Sequence, residues 1–187
     1  MMHLPILLKQ WNLQCELNSL LSMWNQAHRF YHGLSHLEDL IAQIQQDQSQ
    51  YTAIEYEKLC LTALFHDCIY DPMRSDNEEK SADFFINCCP AILSRDHIEI
   101  KNMILDTKTH QSSTILSACF NRYDMHIVER DLTQLLAWEA GIYQEFKSYG
   151  TQAYKNGRLA FIASLLTRYP KNSANLLQLI DYIKISY

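Results

Sequence analysis

A chain of 187 residues with 48% hydrophobic content carries enough apolar side chain for one substantial core. Only 4 glycines and 4 prolines argue against a β-sandwich or a disordered chain, and for helices joined by short loops. The net charge of -5 comes with no basic block to follow a phosphate backbone, so a nucleic-acid polymer is not an expected partner. No apolar run approaches the roughly 18 residues that span a bilayer, so no membrane partner is expected either. The apolar run Leu4 to Leu8 lacks the basic flank and small-residue cleavage site of a signal peptide.

The elements follow in chain order. Leu8, Trp11, Leu13, Leu17, Leu20, Leu21 and Trp24 recur at helical spacing and predict a first helix from Leu7 to about Ala27. A turn at Gly33 follows. Ser35 stands three residues before Glu38, a capping-box pattern that predicts a helix from His36 through Leu40, Ile41 and Ile44. Thr52 and Glu55 form a second such pattern. It opens a helix with an apolar face of Ile54, Leu61, Leu64, Phe65 and Cys68, and with His66 and Asp67 in its last turn. Asp71-Pro72 breaks it.

Asp76 with Glu79 predicts the cap of a helix through Ala82, Phe84, Phe85 and Ile86, stopped by Pro90. Asp96 is expected to cap the next, which carries Ile98, Ile100, Met103, Ile104 and Leu105 and ends near His110. Ile115 to Phe120 is a short apolar segment. A long helix is predicted from about Met125 to Ser148, with Asp131 inside it. Another runs from Thr151 to about Arg168, stopped by Pro170, and a last one reaches Ile185. No segment alternates with period two, and no repeat, low-complexity tract or boundary is visible. The fold expected is an all-α helical bundle, one domain over residues 1–187.

The six cysteines (15, 60, 68, 88, 89 and 119) form no CxxC motif. Cys60, Cys68 and Cys119 sit in apolar runs as small hydrophobes, so reduced thiols and a cytoplasmic location are expected. The adjacent pair Cys88-Cys89 is a possible redox device, with semi-buried free thiols the plainer account.

Four side chains stand out as metal ligands: His36, His66, Asp67 and Asp131. Neighbouring helical positions point about 100° apart, so one ion takes both His66 and Asp67 only where the helix ends or the ligands share a cleft. Taken alone, the pair reads as a core histidine and a surface acid. Two imidazoles and two carboxylates suit Mn, Fe, Zn, Co, Ni or Mg with positions left for water.

The pattern H…HD…D on an all-α chain resembles the HD superfamily of metal-dependent phosphohydrolases. Residues Arg29 to Leu37 look like the R-x-Y-H-x-x-x-H segment of a small bacterial group of predicted HD phosphohydrolases. Ala63 to Asp71 look like its A-x-F-H-D-x-x-Y-D. Asn77 to Ala82 look like N-E-x-x-S-A, Ile104 to His110 like I-L-x-T-x-x-H, and Gly157-Arg158 like a G-R near its end. Arg130-Asp131-Leu132 stands where the group has D-A-D-L. One acid of that motif is replaced by Glu129, and the glycine that usually follows is absent, with Leu136-Ala137 in its place. The resemblance covers residues 29–158, the expected core.

That resemblance implies hydrolysis of a phosphate ester on a small phosphorylated metabolite, most plausibly a nucleotide, by a bound divalent ion. It implies His36, His66, Asp67 and Asp131 as its ligands, with His32 the rival to His36 or a phosphate donor. His110 is a phosphoryl donor or part of a second metal site. Asp71 and Glu78 are candidates for general acid or base. Arg29, Lys80 and Lys108 are candidates to neutralise substrate phosphate. Tyr31 and Tyr70 can stack on a base, while His3, His28, His97 and His126 read as surface or packing residues. A homodimer stays open. The alternatives are a non-catalytic nucleotide-sensing module and a di-iron oxygenase of related fold.

Overall fold

The computed structural model describes residues 4–187 and is all-α, with ten α-helices and no strand among them. His3 lies outside the described residues. Where the sequence shows no boundary, the chain groups into two compact units, one ending at Asp124 and one beginning at Met125.

The first unit holds α1 (Leu4–Gln10), α2 (Leu17–Trp24), α3 (Leu34–Gln46), α4 (Ala53–Phe65), α5 (Asn77–Cys88), α6 (Arg95–Asp106) and α7 (Ile115–Asp124). Helix α4 is its axis and packs against α1, α3, α5, α6 and α7. Every residue from Lys58 to Phe65 is buried. That covered half carries no polar face: from Leu59 to Phe65 only Thr62 is polar, and its hydroxyl donates to the Lys58 carbonyl at 2.8 Å. Leu59, Leu61, Leu64 and Phe65 are fully enclosed, each stabilising by about 1.5–3 kcal/mol. The exception is Lys58, which buries its stem and pairs its ammonium with Asp96 and with Glu99 at 2.8 Å.

The second capping box forms as the sequence predicts: the Thr52 N–H donates to Glu55 and the Thr52 hydroxyl accepts from the Glu55 N–H. Other expected caps move. The first predicted helix is two, because Asn12 adopts φ 52° and ends α1 with Leu13 N–H on the Leu8 carbonyl and Asn12 N–H on that of Lys9. Asparagine tolerates that left-handed conformation, and the bond pair is the Schellman ending. Helix α3 begins two residues early, at Leu34, with Gly33 at its cap and no bond from Ser35, which leaves His36 in the first turn. Asp76 flanks α5, but its carboxylate is taken by Arg74 at 2.6 and 2.8 Å. Ser94, not Asp96, caps α6, in a box closed by the His97 ring.

The second unit holds α8 (Leu132–Phe146), α9 (Thr151–Arg168) and α10 (Ser173–Ser186), with α10 against both others. The single long helix expected from Met125 is instead a 3-10 turn, His126–Glu129, an extended Arg130, and α8. Gly150, at φ 86°, makes the reversal before α9 that other residues resist. The helices are pinned by Glu139, fully buried, which accepts from the Tyr154 hydroxyl at 2.5 Å and Arg158 Nε at 2.6 Å. The Arg158 guanidinium lies 4.1 Å from the Trp138 ring centroid.

Candidate metal centre

Helix α4 ends at Phe65, and His66 takes the cap position. From Asp67 onward the chain is irregular, so its carbonyls have no helical partners. Each of the next five is held by a side chain. Arg29 donates to Asp67 O at 2.8 Å and Cys68 O at 3.0 Å. The Ser81 hydroxyl donates to Ile69 O at 3.2 Å and accepts the Ile69 N–H at 3.1 Å. His28 Nε2 donates to Tyr70 O at 2.9 Å, and Asn77 brackets Asp71, amide to carbonyl at 2.9 Å and N–H to Oδ1 at 3.0 Å. Buried carbonyls left unpaired cost free energy, so these side chains fix the turn and with it the direction of Asp67.

The turn brings donors together. One ligand atom each from His36, His66 and Asp67 lies within 4.8 Å of the others, and all three residues are buried. A second carboxylate joins them from the last residue of α7. Asp124 Oδ1 lies 3.1 Å from His36 Nε2 and 3.5 Å from His66 Nε2. Its other oxygen meets His110 Nε2 at 3.0 Å. His110 sits at φ 52° in the loop after α6, a strained conformation for a non-glycine residue. Asp106 steadies that loop by accepting from Ser113 and Ser117.

His66 is the telling member. Its Nδ1 is 3.0 Å from the Ala63 carbonyl, which can only accept, so the neutral ring carries its proton there. Nε2 then presents a lone pair, fully enclosed and without a hydrogen-bond partner. It faces Asp67 Oδ2 and Asp124 Oδ1, each 3.5 Å away. A buried imidazole nitrogen oriented by a carbonyl at its far side and aimed at two carboxylates is a donor set that could hold a divalent cation.

Without a cation a proton serves. Burial alone would lower the His66 pKa, but the charges of Asp67 and Asp124 outweigh it and push it up to about 9. At 3.5 Å neither carboxylate makes a good hydrogen bond, so this hold is electrostatic. Burial would raise Asp124, yet hydrogen bonds from His110 and His36 and the charge of His66 keep its carboxyl well below the usual range.

No protein-family model matches the chain, and no curated protein or solved structure matches it either. The reading of the site therefore rests on its own geometry.

Of the residues expected at the site, His36, His66, Asp67 and His110 come together. Asp131, in the second unit, stands exposed, and its carboxylate accepts the Gln134 N–H at 2.9 Å as the cap of α8. The acid that meets the histidines within the first unit is Asp124, which the sequence reading did not single out.

The remaining candidates divide. His32 is half-buried beside the cluster, its ring 6.0 Å from that of His36 and 4.7 Å from that of Tyr70. Tyr31 lies 5.1 Å from the His36 ring. Glu78, half-buried in the first turn of α5, has its pKa raised by burial and by the charge of Asp67. Asp71 closes its own turn on the Met73 N–H at 2.9 Å. The Arg29 guanidinium is engaged by carbonyls, including His32 O at 2.9 Å. Lys108 is bound to Glu79 Oε1 at 2.5 Å and Ser75 O at 2.6 Å. Lys80 is exposed on α5.

Proposed function

We propose that this chain is a metal-dependent phosphohydrolase of the HD type, acting on a small phosphorylated metabolite with a nucleotide as the leading substrate class. The observation that carries the reading is the partnerless, buried Nε2 of His66 facing two carboxylates beside His36.

His36, His66, Asp67 and Asp124 would hold a divalent ion, drawn from Mn, Mg, Zn, Co, Ni and Fe. When bound, such an ion supplies a water of lowered pKa and a Lewis acid for a phosphoryl oxygen. The chain's own groups do the rest. His110 stays on the outer oxygen of Asp124 and fixes its orientation. Glu78, whose pKa is raised by burial and by the charge of Asp67, is the candidate proton carrier. His32, with its ring 6.0 Å from that of His36, would donate to a phosphoryl oxygen, and exposed Lys80 would offer charge to the substrate. Arg29, buried, positions the Asp67 turn, and Lys108, at the surface, ties the end of α6 to Ser75 and Glu79.

No helix among the described residues is long and apolar enough to cross a membrane. A cytoplasmic location and a small phosphorylated partner belong to the proposal. A second reading, an oxygen-activating di-iron centre, draws on one observation, the third imidazole that His110 brings to Asp124.

The test is a screen of metal-loaded protein against nucleotides and phosphate monoesters, with Asp67→Ala as control. Phosphate release lost in the variant supports hydrolysis. One ion per chain with no release from any compound turns the reading to a nucleotide sensor. Two irons per chain with a visible absorption band turn it to oxidation.

A further inference from the structure

Away from the metal cluster, the link between α1 and α2 crosses the C-terminal end of α5. The Gln14 N–H donates to the Cys88 carbonyl at 2.6 Å, so the two segments are in main-chain contact. That contact sets the next residue, Cys15, beside Cys88, close enough for each thiol to shift the other's acidity. Cys88 is buried at the last position of α5. Cys15 is half-buried in an irregular stretch. The neighbouring Cys15 thiol lowers the Cys88 pKa, and Cys88 with burial raises that of Cys15.

We propose that Cys15 and Cys88 form a reversible disulfide by exchange with a low-molecular-weight disulfide. The Cys88 thiolate, the more readily formed of the two, attacks the external S–S bond and releases one small thiol. The Cys15 sulfur then attacks the Cys88 sulfur, gives up its proton and expels the second. Two protein thiols are oxidised, one external disulfide is reduced to two thiols, and the two protons leave with them. The backbone at Cys15 has no helix to break, so the sulfurs close to bonding distance by a small shift of the link.

Cys89 is the built-in comparison. Its thiol donates to the Phe85 carbonyl at 3.3 Å and is buried. A bond between the adjacent residues 88 and 89 would need a strained ring, whereas Cys15 to Cys88 closes a long loop that constrains the unfolded chain.

The test uses the full chain incubated with oxidised glutathione, then alkylated under denaturing conditions and mapped by mass spectrometry. The expected result is loss of two alkylatable thiols of the six, a linked peptide pair holding Cys15 and Cys88, and a Tm higher by roughly 10 °C that dithiothreitol reverses. Cys15→Ser and Cys88→Ser each abolish the linked peptide, and Cys89→Ser keeps it. Six alkylated thiols, a bridge mapping to Cys89, or stable glutathione adducts without an internal bridge would overturn the proposal. The mapping is read on the unaltered protein, so it stands even where a variant folds poorly.

Discussion

Arg29 Nη1 donates to the carbonyl of Asp67 at 2.8 Å, and the same nitrogen holds the carbonyl of His32 at 2.9 Å. One buried guanidinium thus joins the segment that carries His36 to the turn that carries Asp67. A planar fork is needed for this, because Nη2 also reaches Cys68 O at 3.0 Å. Arg29→Lys keeps the charge and loses the fork. The expected result is a loss of about 2–3 kcal/mol in urea denaturation and a fall of roughly tenfold in divalent-metal affinity by titration calorimetry. Unchanged metal affinity would show that Arg29 serves stability alone.

Asp124 and Asp131 separate cleanly. Asp124→Ala removes a carboxylate that touches His36 and His110, and is expected to weaken metal binding by roughly 100-fold or more. Asp131→Ala deletes the cap of α8, costing about 1 kcal/mol, with metal binding unchanged. Atomic-absorption stoichiometry of both variants decides; metal lost from the second and kept by the first would restore the assignment to Asp131.

The stripped protein has a specific pH dependence. His66 has a folded pKa near 9, above its free value of 6.5. Its contribution to stability is whole below pH 6.5 and is lost as pH rises through 9. The change is on the order of 3 kcal/mol. Asp124 is depressed, so its contribution is present above pH 3.8 and is lost as pH falls through the folded value. Chemical denaturation in EDTA across pH 6 to 9.5 is expected to show this fall, and His66→Gln to flatten it.

Glu78 offers a test of the proton carrier. A carboxyl whose pKa is raised by burial and by Asp67 is less stable charged in the fold than in water. Glu78→Gln is therefore expected to keep or slightly raise thermal stability at neutral pH. Under the proposed hydrolysis it lowers kcat by roughly 10²–10⁴-fold with metal content unchanged, and removes one limb of the pH–rate profile. A variant with full kcat would take Glu78 out of the reaction.

Much of the architecture was legible in the chain itself. Helical periodicity predicted the all-α class, α9 and α10 near their observed bounds, and the Thr52–Glu55 box that starts α4. Local chemistry misled where side chains found other partners. Asp76 went to Arg74, and Asp96 went to Lys58. Arg29 and Lys108, read as charges for a substrate, also hold carbonyls and Glu79, contacts that no local pattern announces.

The sequence by itself determined that His66 and Asp67 end an apolar helix, and that His36 stands in the first turn of another. Those facts follow from apolar periodicity, which acts within a few residues, although the cap of α3 is Gly33 and not Ser35. Which acid completes the cluster depends on where α7 ends against α3 and α4, a contact between segments 88 residues apart at His36 and Asp124. The same holds for the meeting of Cys15 with Cys88. Packing of a buried α4 on several sides decided both, because only the folded core brings distant helix ends within a hydrogen bond of each other.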